Sequence, residues 1–150
     1  MNKQYSKNKK AYHDYEILET IEVGLSLNGL EVKSIRKSNI QLKGSYCSIK
    51  ENKIFLEGAH ISKPKIHERE FFDENRNIPL LINKNQLKHF QEEIKNNGIT
   101  LVLLSVYQRE NTKKIKAELA LVKGKREFDK RETLKRRQAD IDTKREMKNY

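Results

Sequence analysis

The feature that most constrains this chain is a pair of apolar runs, residues 99–107 (ITLVLLSVY) and 115–122 (IKAELALV), separated by the polar residues 108–114. The first run is nearly continuous in aliphatic residues and far short of the roughly 20 needed to cross a bilayer as a helix, so it reads as a buried strand. The second alternates Ile115, Ala117, Leu119 and Leu121 with Lys116 and Glu118, the period of a strand with one buried face. Joined through residues 108–114 they form a hairpin, and a chain built around one must cover or close its sheet edges.

The preceding segments supply further strands. Residues 12–27 alternate β-branched or aromatic residues with polar ones, predicting a strand that breaks or bulges at Gly24. Asn28-Gly29 is a turn signal, and residues 30–36 (LEVKSIR) fit a short helix with Leu30, Val32 and Ile35 inward and Glu31, Lys33, Ser34 and Arg36 outward. Residues 41–49 and 53–58 read as a hairpin turning at Glu51-Asn52. The stretch 60–79 holds both prolines and no clear period, and reads as a mobile loop. After the short apolar run 80–82, Asn83 offers an N-cap with Gln86 three residues on, Leu87, Phe90 and Ile94 line one face, and Asn97-Gly98 ends the helix. About six strands with two or three flanking helices make the fold class mainly β with α. A small antiparallel barrel of OB type would close such a sheet, and such barrels commonly bind nucleic acid strands.

Charge divides the chain unevenly. Of the net +11, residues 1–13 contribute four Lys and no acid, and residues 123–150 contribute 11 Lys and Arg against six acids. Residues 14–122 hold 17 basic and 15 acidic residues, a balance of only +2. The expected organisation is a basic arm at 1–11, a nearly neutral body at 12–122 and a basic tail at 123–150, a distribution suited to neutralising phosphates. Wound as a helix at about 100° per residue, Arg126, Lys130, Arg137, Lys144 and Lys148 fall within roughly 40° of arc. The apolar residues of this tail are too scattered to hold it against a core, so it is expected to fray when free and become helical along a polyanion.

Other classes fit less well. Neither arm has the Trp, Phe and Leu face of an interfacial helix, and the N-terminus lacks the apolar region of a signal peptide, so a cytoplasmic protein without membrane contact is expected. The single cysteine, Cys47, rules out an internal disulfide and reads as a small buried residue. No Cys or His spacing suggests zinc, and no Gly-rich loop suggests a nucleotide cofactor, so no metal or cofactor is expected. A metal-dependent nuclease would need carboxylates such as Asp14, Glu16 and Glu22 to converge, and no paired-acid motif predicts that.

Four segments, in order, resemble the family of SsrA-binding proteins, also called small protein B. They are NKKAYHDY (8–15), GLEVKSIR (29–36) followed by Ser45-Tyr46, LLIN (80–83) and ALVKGKREFDKRETLKRR (120–137). The resemblance implies a non-enzymatic, monomeric adaptor whose OB-like barrel grips the tRNA-like domain of transfer-messenger RNA and delivers it to stalled ribosomes. Its tail would enter the vacant messenger channel beside the decoding centre of the small subunit and fold there as a helix. A general RNA chaperone or ribosome-associated factor without this specificity is the alternative.

By position, the resemblance assigns RNA contacts to Asn8, Lys10, Tyr15, Glu22, Lys33, Arg36, Arg76, Leu81 and Asn83. It assigns ribosome contacts to His13 and, along the tail, to Lys125, Arg126, Asp129, Lys130, Arg131, Lys135, Arg137, Lys144, Met147 and Lys148. Three departures stand out. Lys37-Ser38-Asn39 follows Arg36 where the family usually has Ala-Gly-Lys. Ile78-Pro79 replaces a basic pair, and Ala139 and Glu146 replace apolar tail residues. Tail docking here is expected to lean on charge.

Overall fold

The computed structural model describes residues 3–64, 71–110 and 112–124. In chain order the elements are β1 (Lys3–Lys7), α1 (Lys9–Asp14), β2 (Tyr15–Leu25), α2 (Gly29–Arg36), β3 (Ile40–Gln41), β4 (Tyr46–Lys50), β5 (Lys53–Glu57), β6 (His60–Ile61), β7 (Ile78–Leu81), α3 (Lys84–Glu93), β8 (Ile99–Gln108) and β9 (Ile115–Gly124). The mainly β class expected from the sequence is what the chain adopts.

The β8–β9 hairpin is the spine. It pairs from Ile99 opposite Lys123 to Gln108 opposite Ile115, with a bulge at Leu104. On its other side β9 pairs with β2, while the second edge of β8 takes β4 at Leu101 and β1 from Ser105 to Gln108. The remaining antiparallel partners run β4–β5, β5–β7 and β7–β2, so the succession of pairings that leaves β8 through β4 returns to it through β9. β3 and β6 form a separate two-stranded ladder. The main core lies between these strands, with Ile35, Ile54, Leu56, Phe90, Leu101, Leu103 and Leu119 each at most 1% exposed.

A second, smaller cluster explains why β8 reads as continuously apolar. Val102, Leu104, Ala120 and Val122 point away from the main core, yet they are buried under Ala11 of α1, with Tyr15 and Ile17 alongside. Covering both faces removes the need for alternation. The N-terminal residues read as a basic arm pack against the body: β1 hydrogen-bonds to β8, and Tyr5, Asn8 and Ala11 are buried.

The structure corrects several local expectations. The strand read over 12–27 starts only at Tyr15, because α1 occupies Lys9–Asp14. It runs unbroken through Gly24, and its bulge against β9 falls at Leu18, which turns outward. The segment 41–49 divides into β3 and β4 around Gly44, whose φ of 78° only glycine adopts freely. The β4–β5 turn is where the sequence put it. Glu51 and Asn52 both take positive φ, 50° and 62°, the two-residue geometry whose twist matches flanking strands. The supposed loop 60–79 begins and ends in strands, β6 and β7. Pro79 misled that reading: it has no N–H to give, but its carbonyl accepts from Ser26 N at 2.9 Å. β9 extends two residues past the expected boundary at 122.

Both longer helices start as their sequences suggest. Asn83 Oδ1 accepts from Gln86 N at 2.8 Å, and Gly98, at φ 81°, follows the helix end. Asn28 and Glu31 form a reciprocal capping box on α2. Glu31 and Ser34, expected outward, are buried. Glu31 turns under the helix start toward Arg76, and the Ser34 hydroxyl donates to the Ser62 carbonyl.

Candidate nucleic-acid interface

Strand register sorts the outer face of the sheet into rows. Leu81 on β7 lies opposite Gly24 on β2, Gly24 opposite Lys116 on β9, Lys116 opposite Tyr107 on β8, and Tyr107 opposite Gln4 on β1. One pleat further on, Glu22 lies opposite Glu118, Glu118 opposite Ser105, and Ser105 opposite Lys7. Because side chains alternate along a strand, both rows share the surface turned away from Val23, Ala117 and Val106 in the core.

Glycine at position 24 lets Leu81 pack directly over the β2 backbone, since a Cβ there would stand 3.2 Å from both Cβ and Cδ1 of Leu81 and push it aside by a few tenths of an ångström. Leu81 lies across that gap and is 60% exposed, an apolar contact surface held in place by backbone packing. Beside it, a groove of about 350 Å³ has Leu25, Leu27, Val32, Leu81 and Ile115 among its lining and Arg36, Lys113, Lys114 and Lys116 at its rim. Arg36 Nη2 donates to the Lys113 carbonyl at 2.9 Å, tying α2 to the β8–β9 turn. An apolar floor with cations at its margin can take a base or ribose inside while its phosphates meet Lys and Arg.

Glu22 is the acidic member of this face. It accepts from the Tyr107 hydroxyl at 2.6 Å and from Arg109 Nη1 at 3.2 Å. Burial, and next the bond to Glu22, raise the Tyr107 phenol well above its usual range. At the far side of the face, Lys7 Nζ sits 5.0 Å from the Tyr12 ring centroid.

The residues singled out in the sequence do not converge on one spot. Arg36 and Leu81 line the groove just described, Glu22 lies in the neighbouring row, and Asn83 caps α3 two residues beyond Leu81. Lys10 and Tyr15 line a different cleft of about 260 Å³ with Asp14, Gly44, Ser45 and Tyr46. Behind Tyr46, Glu57 accepts from Lys50 Nζ at 2.8 Å, and that bond, ahead of one from Tyr46, holds its carboxyl below the usual range. His13 Nδ1 lies 2.9 Å from Asp14 Oδ1 at the end of α1. Lys33 is exposed on α2. The tail residues from Lys125 to Lys148, with the expected helical stripe, lie outside the described residues.

Two assigned residues are committed to the protein itself. Asn8 is 3% exposed; its Oδ1 accepts from Ala11 N at 3.2 Å and its Nδ2 donates to the Leu103 carbonyl at 3.1 Å, so it caps α1 and fastens it to β8. Arg76 spends its Nε and Nη2 on Glu31 and the Ser26 carbonyl. Conversely, Tyr107, Lys113, Lys114 and Lys116 belong to this face without being marked by any sequence motif. The signal was available in the hairpin register, which puts Lys116 and Tyr107 in line with Gly24. Cys47 is buried and its thiol is pushed up by that burial. Among the described residues no three His, Cys, Asp or Glu are grouped to hold a metal, and no helix is long and apolar enough to cross a membrane.

Comparison with known proteins places this geometry. A family model described as SmpB protein matches residues 5–149. An SsrA-binding protein of Streptococcus pyogenes serotype M3 is 42% identical over 145 residues, 97% of this chain and 92% of that relative, and one from serotype M49 has the same identity and coverage. A solved structure described as "tmRNA-SmpB: a journey to the center of the bacterial ribosome" has a TM-score of 0.68 at 34% identity, covering 86% of this chain and 93% of that one.

Proposed function

The chain belongs to the SmpB protein family, and from that premise we propose that it is an RNA-binding adaptor for ribosome rescue. It binds the tRNA-like domain of transfer-messenger RNA and brings it to stalled bacterial ribosomes in the cytoplasm, with no catalytic step and no cofactor of its own. The observation that carries this reading is the outer face of β7, β2, β9 and β8. Leu81 is held exposed over Gly24, beside a groove rimmed by Arg36, Lys113, Lys114 and Lys116.

The ring of strand pairings supports a small closed barrel of OB type beneath that face. Such a barrel gives the RNA a rigid platform, so binding orders the RNA rather than the protein. The cleft with Lys10, Tyr15 and Tyr46, near His13, is a second surface available to RNA while the first face is occupied. The tail from Lys125 onward, rich in Lys and Arg, enters the vacant messenger channel and pairs with phosphates there.

Truncation after Gly124, which keeps β9 whole, tests this division of labour. The truncated protein is expected to bind a transcript of the tRNA-like domain within about two-fold of the full chain and to fail in tagging stalled peptides. Tagging at the full rate by the truncated protein would show that the tail is dispensable for rescue.

A further inference from the structure

Glu22 is out of place on a surface that takes a polyanion. Phosphate repels it, and it lies directly opposite Glu118, an arrangement that destabilises a strand pair. Holding the fold together does not explain it. Its two partners, Tyr107 and Arg109, come from the end of β8, which is already paired to β9 and β1, and Glu22 itself is on the exposed side of β2. What these bonds do is fix the carboxylate's orientation. The Tyr107 hydroxyl occupies Oε2 and Arg109 occupies Oε1, one donor on each oxygen. An ionised carboxylate offers about four acceptor directions, so each oxygen keeps one for a ligand.

Two adjacent acceptors held at a fixed angle suit a pair of neutral donors. Arg109, beside Oε1, disfavours a metal cation there, and the carboxylate's own charge disfavours phosphate. The geometry points to Tyr107 and Arg109 as positioning residues that hold Glu22 as a reader of neutral hydrogen-bond donors on RNA, whether base N–H groups or ribose 2′-hydroxyls. This inference rests on the reading of the outer face as the RNA surface. It converts Glu22 from one more contact into the specificity element of that face. A site built around buried or oriented acceptors rejects ligands that lack the matching donors, because the acceptors are then left unpaired. The raised phenol of Tyr107 keeps its hydroxyl a donor at any physiological pH.

The test is a double-mutant cycle on the full chain, with affinity read against a transcript of the tRNA-like domain at about 0.15 M salt. Glu22→Ala is expected to weaken binding about 10-fold or more, the loss of a hydrogen bond to a charged group. Tyr107→Phe, which removes only the hydroxyl, is expected to weaken binding about 3-fold in the native background and not at all in the Glu22→Ala background. Arg109→Lys is expected to retain most of the affinity that Arg109→Ala loses.

An equal loss from Tyr107→Phe in both backgrounds would show that Tyr107 meets the RNA directly and would overturn the positioning role. No loss from Glu22→Ala would instead overturn the assignment of this face to RNA. Transcripts that lack one kind of base N–H at a time (inosine for guanosine, purine riboside for adenosine, zebularine for cytidine, N1-methylguanosine or N3-methyluridine for the ring N–H), or that carry 2′-deoxy sugars, separate the two donor sources. The modification that removes the true donor abolishes the difference between native protein and Glu22→Ala. If none does, the carboxylate reads no neutral donor and the inference fails.

Discussion

Arg76 donates to both carboxylate oxygens of Glu31, Nε to Oε2 at 3.0 Å and Nη2 to Oε1 at 2.7 Å. Glu31 is 1% exposed and also accepts from Asn28 N at 2.9 Å, so one buried carboxylate closes the capping box of α2 and fastens the segment before β7 to it. A planar guanidinium is the side chain that can satisfy both oxygens at once.

Removing that partner leaves a buried charge uncompensated. Arg76→Met is therefore expected to destabilise the protein by about 3 kcal/mol, seen as a lowered midpoint in urea unfolding. RNA affinity of the folded fraction is expected to change by less than about three-fold, since the guanidinium's main work is inside the protein. A stability change under about 1 kcal/mol with a large loss of affinity would instead make Arg76 an RNA contact.

Ser38 follows α2 with a φ of 61°, its N–H bonded to the Ile35 carbonyl at 2.8 Å. Its left-handed backbone is the conformation that glycine adopts freely. A residue with a Cβ is strained in that region, and the relief outweighs the extra chain entropy of glycine. Ser38→Gly is expected to stabilise the protein by about 0.5–1 kcal/mol, measured by urea unfolding.

A methyl group at position 24 would meet Leu81 at 3.2 Å, so Leu81 must move by a few tenths of an ångström to admit it. Gly24→Ala is expected to cost about 1 kcal/mol or less in stability, because Leu81 faces solvent and can give way. RNA affinity is expected to fall several-fold as the exposed side chain is displaced. Unchanged affinity alongside a shifted Leu81 would remove that side chain from the interface.

His89 Nε2 lies 2.7 Å from Glu19 Oε2, bridging α3 to β2, and this bond, above all other influences, raises the imidazole from its ordinary 6.5. The sign follows from linkage: a raised pKa contributes stability that is complete below pH 6.5 and fades as pH rises through the folded value. His89→Gln is expected to flatten the decline in stability above pH 6.5 and to leave stability above the folded pKa nearly unchanged. An unaltered pH profile would show that the pair does not form in solution.

How far the sequence could be read depended on where the deciding contact lay. The β8–β9 hairpin, the Glu51-Asn52 turn and the Asn83 cap were legible because each depends on residues close in the chain. The packing of residues 3–11 was not legible. Their four Lys mark a basic arm, yet Tyr5, Asn8 and Ala11 are buried against β8, about a hundred residues away. Glu31 looked like a surface charge because its partner Arg76 is 45 residues distant. Of the outer face, Leu81 and Glu22 were legible by resemblance alone. Tyr107 and Lys116 join them only through strand register, which composition does not reveal.

The outer face recognises one RNA fold and is more than a general anion binder. Competition for the full chain at about 0.15 M salt tests it most directly, setting a transcript of the tRNA-like domain against duplex DNA and an unrelated structured RNA of equal length. The tRNA-like domain is expected to be preferred by about 100-fold or more, and Glu22→Ala to erode this preference without changing affinity for the competitors. Equal affinity for all three ligands, falling in parallel with added salt, would contradict it.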